Sequence, residues 1–283
     1  MIQQITIVGT GSIGGSVALG LRKHGFSGRL IGCDRQPVLE AAVARGAIDE
    51  GSPDAGRAVA GSDVIVLATP VGAIIDFIER FGPVLPPKVL LTDVGSTKRD
   101  ILARARAVFG AESARRFLAG HPMAGRERGG IEYADADMFQ DAVWLVTPLP
   151  GQDIRAGIAG EYLALIESIV GRIVCMDAEK HDRVCGWISQ LPQMLSTALA
   201  ATVAEELGDD PVLMAIGGRA LKEMTRIAAS PYSMWRDIAL TNSDNLQQAM
   251  QRLEQHLAHL RENLKSGGLR EEFERGNRFV SSR

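Results

Sequence analysis

The sequence predicts an α/β protein: a doubly wound, mostly parallel sheet over residues 1–176, followed by an all-α C-terminal domain over residues 177–283. Three observations predict it. Short apolar runs alternate with segments of helical periodicity through the first part of the chain. A glycine-rich turn, Gly9-Thr10-Gly11-Ser12-Ile13-Gly14, directly follows the first of those runs. After Met176 the strand signals stop and helical spacing takes over.

The elements follow in order. Ile5-Thr6-Ile7-Val8 reads as a buried strand. Val17, Ala18 and Leu21 recur at helical spacing, Gly25 stops that helix, and Arg29 to Cys33 reads as a second strand closed by Asp34. In this context each residue has a task in holding a dinucleotide. Gly9 allows the tight turn, Gly11 lets the backbone approach a pyrophosphate, and Gly14 lets helix and strand pack closely. Ser12 and Ile13 open the helix, whose free N–H groups suit phosphates. Asp34 can accept hydrogen bonds from an adenosine ribose diol and would repel a 2′-phosphate, which favours NAD. Arg35 beside it could pair with that phosphate, so NADP stays open. The unit is therefore Rossmann-type; the bland alternative is a tight βα turn in an unrelated α/β domain.

Pro37 to Arg45 reads as a short helix. Asp63 to Ala68 is a continuous apolar strand ending at Thr69-Pro70, and a helix follows through Ile74, Phe77 and Ile78. Val89 to Thr92 is the next strand, ending at Asp93-Val94-Gly95-Ser96, and Lys98 to Val108 is its helix. Phe117 to Gly120 is a strand ending at His121-Pro122. Ala142 to Val146 and Arg172 to Met176 are later strands, with a helix through Tyr162, Leu163 and Ile166 between them. In an open α/β sheet the ligand crevice lies at the carboxyl ends of the strands. Thr69, Pro70 and Asp93 therefore join the cofactor side, with Ser96 and His121 nearby.

In the helical part, Lys180 to Leu207 reads as one long helix kinked at Pro192, with Trp187, Leu191, Leu195 and Leu199 on one face. Gly217-Gly218 breaks the pattern, a helix carries Leu221, Met224 and Ile227, Ser230-Pro231 starts another, and Leu246 to Leu264 is the last long one. Helices this apolar cannot all bury their faces alone, which predicts a homodimer packed through them.

Composition narrows the function. Hydrophobic content of 46% and charge of 23% are ordinary for a globular protein. A net charge of −3 with no basic run argues against nucleic acid as a partner. No leader and no membrane-spanning stretch are seen, so the expected location is cytoplasmic. Cys33, Cys175 and Cys185 are scattered in apolar contexts and read as reduced core residues, without metal spacing.

His121 is the candidate general base, because Pro122 holds it extended at the ligand edge and flanking glycines allow close approach. Ser96 could hydrogen-bond a substrate hydroxyl, or simply cap the helix beginning near Lys98. Arg226, among Met224, Ile227, Ala228 and Ala229, needs a carboxylate partner that a substrate could supply. His181, beside Asp182, reads as a capping or domain-joint residue and not as a catalyst.

The motifs VGTGSIGGSVALGL, LATPV, DVGSTK, GHPMAG, ISQLPQ and TRIAASPYSMWRD, in this order across nearly the whole chain, resemble the prephenate/arogenate (cyclohexadienyl) dehydrogenase family. The resemblance implies NAD(P)-dependent oxidative decarboxylation of a cyclohexadiene in tyrosine biosynthesis. It gives His121 the catalytic role, Ser96 the role of its partner, and Arg226 that of the substrate-binding arginine. It also implies a dimerising helical half; a chain that starts at its first strand and ends soon after its last helix is expected to carry no fused mutase domain and no ACT domain. One departure stands out: the family often reads S-H-L-P-H where this chain has Ser189-Gln190-Leu191-Pro192-Gln193. Ser189 and Gln193 are the substrate-side candidates there, and Gln193 can hydrogen-bond without acting as a base. Two other readings remain: a Rossmann-plus-helical hydroxyacid dehydrogenase of another specificity, and a non-catalytic NAD-sensing module.

Overall fold

An eight-stranded sheet in the order β3-β2-β1-β4-β5-β6-β7-β8 forms the frame of the computed structural model. The structure describes all residues except 126–127, 209, 211, 213–215 and 283. The strands are β1 (Gln4–Val8), β2 (Arg29–Cys33), β3 (Glu50–Gly51), β4 (Val64–Leu67), β5 (Leu90–Asp93), β6 (Phe117–Pro122), β7 (Val143–Thr147) and β8 (Arg172–Cys175). Every neighbouring pair is parallel except β6 and β7, which run antiparallel with His121 opposite Leu145. Strand order reverses at β1, so the crevice opens between the carboxyl ends of β1 and β4.

Helices cover both faces. On one side α1 (Ser12–Lys23), α2 (Gln36–Ala44) and α7 (Gly157–Glu167) bury Leu21, Leu39, Tyr162 and Ile166 against Ile5, Ile7 and Trp144. On the other, α4 (Val71–Phe81) and α5 (Arg99–Phe109) bury Ile74, Phe77, Ile101 and Leu102 against Ile65, Leu67 and Phe117. The single turns α3 (Ala55–Ala58) and α6 (Ser113–Arg116) lie between.

After β8 every described element is helical: α8 (Ala178–Cys185), α9 (Leu191–Leu207), α10 (Arg219–Thr225), α11 (Tyr232–Thr241), α12 (Ser243–Glu262) and α13 (Gly267–Ser281). Four details differ from the sequence expectation. The long helix from Lys180 is two helices joined by a five-residue π turn, Gly186–Gln190. Pro192, which has no N–H, lies in the first turn of α9 directly after that wide turn. Leu246 to Leu264 is not the last helix; α13 follows it. His121 lies inside β6, not beyond its end, because β7 pairs back along it. Cys175 is exposed at the edge strand, whereas Cys33 and Cys185 are buried. No described helix is long and apolar enough to cross a membrane.

The helical half grips the sheet half through helix ends. Neither α4 nor α5 has a capping side chain of its own: their N-cap residues are Pro70 and Lys98. Carboxylates of the helical half supply the caps. Asp237 accepts from the Gly72 amide at 2.9 Å, and Asp182 accepts from the Lys98 and Arg99 amides at 2.7 and 3.0 Å. Each carboxylate also meets the positive end of a helix dipole. Arg99 extends the junction to Asp244 and Asn242, and Thr97 hydrogen-bonds Thr241 at 2.7 Å. Asn242 is wholly buried and donates to the Asp182 carbonyl and to Gln190 Oε1, each at 2.8 Å. Asn242→Ala would strand both acceptors, at about 1–3 kcal/mol for each group left unsatisfied. Urea unfolding should show this loss; an unchanged midpoint would mean that the junction does not depend on Asn242.

Candidate active site

The turn between β1 and α1 is built for a ligand backbone approach. Gly9 has φ +93°, and a Cβ there would lie 2.5 Å from the Ala68 carbonyl oxygen. A Cβ on Gly14 would lie 2.0 Å from the Gly9 carbonyl oxygen. A Cβ on Gly11, by contrast, would meet no protein atom within 4 Å. The tight contacts set the turn, and the open side at Gly11 is where a pyrophosphate fits. Ser12 Oγ is buried with no partner among the described residues, and it opens α1. These residues fit a dinucleotide. Ile13 packs against the core behind them, and Thr69 and Pro70 border the turn from the end of β4.

Asp34 stands at the end of β2 and is partly exposed. Its Oδ2 accepts from the Thr10 amide at 2.8 Å and its Oδ1 from the Arg35 amide at 2.8 Å. Oδ2 also accepts from Thr10 Oγ1 at 3.4 Å, and Oδ1 keeps a lone pair for a diol. The Arg35 side chain is exposed at the start of α2.

Asp93 proves to be structural. It is wholly buried, and its carboxylate is taken by the Lys98 ammonium and by the Gly95 and Gly120 amides at 2.8 and 3.3 Å. It has no surface for a cofactor, which corrects the sequence assignment. Burial pushes its carboxyl up, and Lys98 and the two amides offset this only in part. The pair ties the end of β5 to the loop carrying Ser96 and to β6. At Gly120 a Cβ would lie 2.7 Å from Trp144 Nε1, so only glycine lets β6 lie this close.

His121 is buried and does not stand alone. Its Nδ1 lies 3.0 Å from His181 Nε2, and His181 Nδ1 lies 2.7 Å from Asp182 Oδ1. Cys185 Sγ touches both rings, at 3.9 and 3.7 Å. Nδ1 of His121 is taken up by His181, while Nε2 has no hydrogen bond to another described residue. Burial, then His181 and Lys98, push the His121 pKa well below the ordinary 6.5. Burial also lowers His181, against the opposing pull of Asp182. Burial alone would raise Asp182, but the His181 hydrogen bond and the Arg99 and Lys98 amides outweigh it and hold the carboxyl below the usual range.

Sequence reasoning missed the partner. Asp177 already caps α8, accepting from the Lys180 amide at 2.8 Å, so His181 has no capping work to do. It is a domain-joint residue as expected, but one in contact with the base. The signal was available: a cap three residues before Lys180, and His181 and Cys185 at i, i+4 spacing on one face. Likewise no metal spacing shows in sequence, yet His121, His181 and Cys185 bring three ligand atoms within 4.8 Å of one another.

Ser96 is partly buried and does not cap α5, since Asp182 does. No hydrogen bond joins Ser96 to His121 among the described residues. Ser189 lies partly buried in the π turn. Gln193 is buried, and its amide donates to the Ile227 carbonyl at 2.9 Å and to Thr197 Oγ1 at 3.2 Å. It therefore holds the turn Arg226–Ala229 against α9. Arg226 is exposed and not embedded among apolar neighbours; it lines an open groove with Gly217, Gly218, Arg219, Lys222 and Glu223.

Fold and site together define a dinucleotide-dependent oxidoreductase made of a sheet half and a helical half. The chain belongs to the prephenate dehydrogenase family: the family's nucleotide-binding domain matches residues 17–170 and its dimerization domain matches residues 177–276. It is 32% identical to the prephenate dehydrogenase of Bacillus subtilis over 248 residues, which is 87% of this chain and 66% of that one. It superposes on prephenate dehydrogenase from Aquifex aeolicus, solved in complex with hydroxyphenyl propionate and NAD+, with a TM-score of 0.85 and 31% identity over 100% of this chain and 96% of that one. Synechocystis arogenate dehydrogenase matches with a TM-score of 0.73 and 29% identity over 99% of both chains.

The site predicts a stability signature. A histidine whose folded pKa lies below its unfolded value takes up its proton first in the unfolded chain. Its contribution is therefore complete above pH ~6.5 and is lost progressively as the pH falls below that. Asp93, being raised, slopes the other way but is common to wild type and His121→Asn. Wild type should thus lose more stability than His121→Asn as the pH falls from about 7.5 to about 5. Parallel profiles would show that His121 titrates normally.

Proposed function

We propose that this chain catalyses the NAD-dependent oxidative decarboxylation of arogenate, prephenate or both, a step toward tyrosine, with His121 as general base. The observation that carries the residue assignment is a buried histidine with its Nδ1 against His181, at the same edge of the sheet as the dinucleotide turn, in a chain of this family. The relatives' activities support the substrate class. Residues 1–176 form the dinucleotide-binding domain and residues 177–283 the substrate-binding and dimerisation domain. The reading extends to a cytoplasmic homodimer. Its cysteines are free, and Met224, Leu240 and Leu257 of the helical half are exposed in the single chain.

Gly9, Gly11, Ser12, Ile13 and Gly14 would hold the pyrophosphate, Asp34 the ribose diol, and Thr69 and Pro70 the far wall. When bound, NAD supplies the hydride acceptor. His121 takes the proton of the ring hydroxyl at Nε2, and Ser96 orients that hydroxyl. Arg226 holds a substrate carboxylate at the mouth of its groove. Loss of the ring carboxylate as CO2 leaves an aromatic product, which drives the reaction forward. Burial keeps His121 in the base form at neutral pH, so the acid limb of activity should lie below pH 6.5.

The test is NADH absorbance on mixing the protein with NAD and either cyclohexadiene. His121→Asn should lower kcat by about 10²–10⁴ with little change in KM, because it removes general-base catalysis. A near-normal kcat would remove His121 from the mechanism. Asp34 favours NAD, so kcat/KM should be higher with NAD than with NADP; a clear NADP preference would give Arg35 the decisive role.

Both amide hydrogens of Gln193 are spent within the protein, which leaves only its carbonyl oxygen for a ligand. An acceptor suits the ammonium of arogenate and not the ketone of prephenate. We therefore expect arogenate to be used with the higher kcat/KM. Strict use of prephenate would show that another residue sets the choice.

A further inference from the structure

The chain Asp182–His181–His121 spans two halves of the molecule, and nothing in the reaction assigned above uses its first two members. We propose that His181 and Asp182 are positioning residues that fix His121 in the tautomer with its proton on Nδ1 and its lone pair on Nε2. The proposal rests on the reading of His121 as the base.

Each link forces the next. An ionised carboxylate can only accept, so the 2.7 Å contact to Asp182 Oδ1 requires a proton on His181 Nδ1. A neutral His181 then has its lone pair on Nε2 and must accept across the 3.0 Å contact. His121 Nδ1 therefore carries the proton and donates it, and the ring's only lone pair is on Nε2, which no described residue hydrogen-bonds. Asp182 cannot turn away from this task. Its Oδ1 also accepts from the Lys98 amide at 2.7 Å, and its Oδ2 accepts from the Arg99 amide and side chain at 3.0 and 3.3 Å. The same chain acts when His121 becomes an imidazolium. The Nδ1–H already points at a neutral acceptor, and the carboxylate lies one ring further on, so no reorganisation is needed as the charge forms.

Among the described residues, the titratable and charged groups around His121 are His181 and Cys185 from α8 and Lys98 at the start of α5. A metal ion bound by His121, His181 and Cys185 is the competing use of these atoms. It would need a lone pair on His121 Nδ1 and a thiolate at Cys185. Burial pushes that thiol up to about 12, which opposes the thiolate and favours the hydrogen-bonded chain.

The tautomers can be read directly in the intact protein by two-bond proton–nitrogen correlation of ¹⁵N-histidine. Both His121 and His181 should be protonated at Nδ1; a proton on Nε2 of either would overturn the proposal. Kinetics give a second, independent reading. His181→Leu should lower kcat by about 10²–10⁴ with KM nearly unchanged. His181→Gln should recover roughly tenfold or more of that loss, since its amide can donate to Asp182 while its carbonyl accepts from His121. Should His181→Leu keep kcat within about threefold of wild type, or should Gln and Leu be equally impaired, the chain plays no positioning part. His121→Asn separates the two ideas: if it abolishes activity while His181→Leu does not, only the chain fails, and if it leaves kcat intact the base assignment itself falls. Full activity lost on adding Zn²⁺ and restored by chelator in wild type, with apo and chelated proteins showing the Nε2–H form of His121, would also overturn the proposal.

Discussion

The carboxylate of Asp182 is the interaction on which the site depends. It is wholly buried, and three of its four hydrogen-bond donors come from Lys98 and Arg99 of the sheet half. The fourth is His181. A buried charge deprived of partners costs about 3–5 kcal/mol, so the two halves cannot separate here cheaply. One group thus caps α5, docks α8 and sets the ring facing the base. Asp237 repeats the device on α4 without the chemistry. Both helix ends gripped by the other half lack a capping side chain of their own.

The dinucleotide turn is independent of this junction. The glycine turn is held by β1, α1, the end of β2 and Ala68 and Thr69 after β4. The base depends on the junction. Cofactor binding can therefore survive changes that abolish catalysis, and the reverse is harder to arrange. The buried Asp93–Lys98 pair links the regions, because it holds the end of β5 against β6 just before His121.

The sheet half was legible because its strands are continuous apolar runs ended by Gly, Pro or Asp, and each βα unit is local. Direction was not legible: an apolar run reads the same in both senses, so the reversed β7 could not be seen. β3 has two residues and no period. The helix α13 was hidden by Gly267, Gly268 and Gly276, although Leu269, Phe273 and Val280 keep helical spacing. Of the site, His121, the glycine turn and Asp34 were readable from local patterns. The His181–Asp182 partnership was not, because its meaning arises only where α8 meets β6, sixty residues away in sequence. Asp93 was misjudged for the same reason: its position at a strand end suggests a ligand, while its burial beside Lys98 comes from packing.

The claim that the junction acts through the base is tested most directly by a double-mutant cycle in kcat with His121→Asn and His181→Leu. If His181 works only by setting the tautomer of His121, the double variant should be no slower than His121→Asn alone. Losses that multiply, so that the double variant falls by the product of the two single effects, would contradict the account.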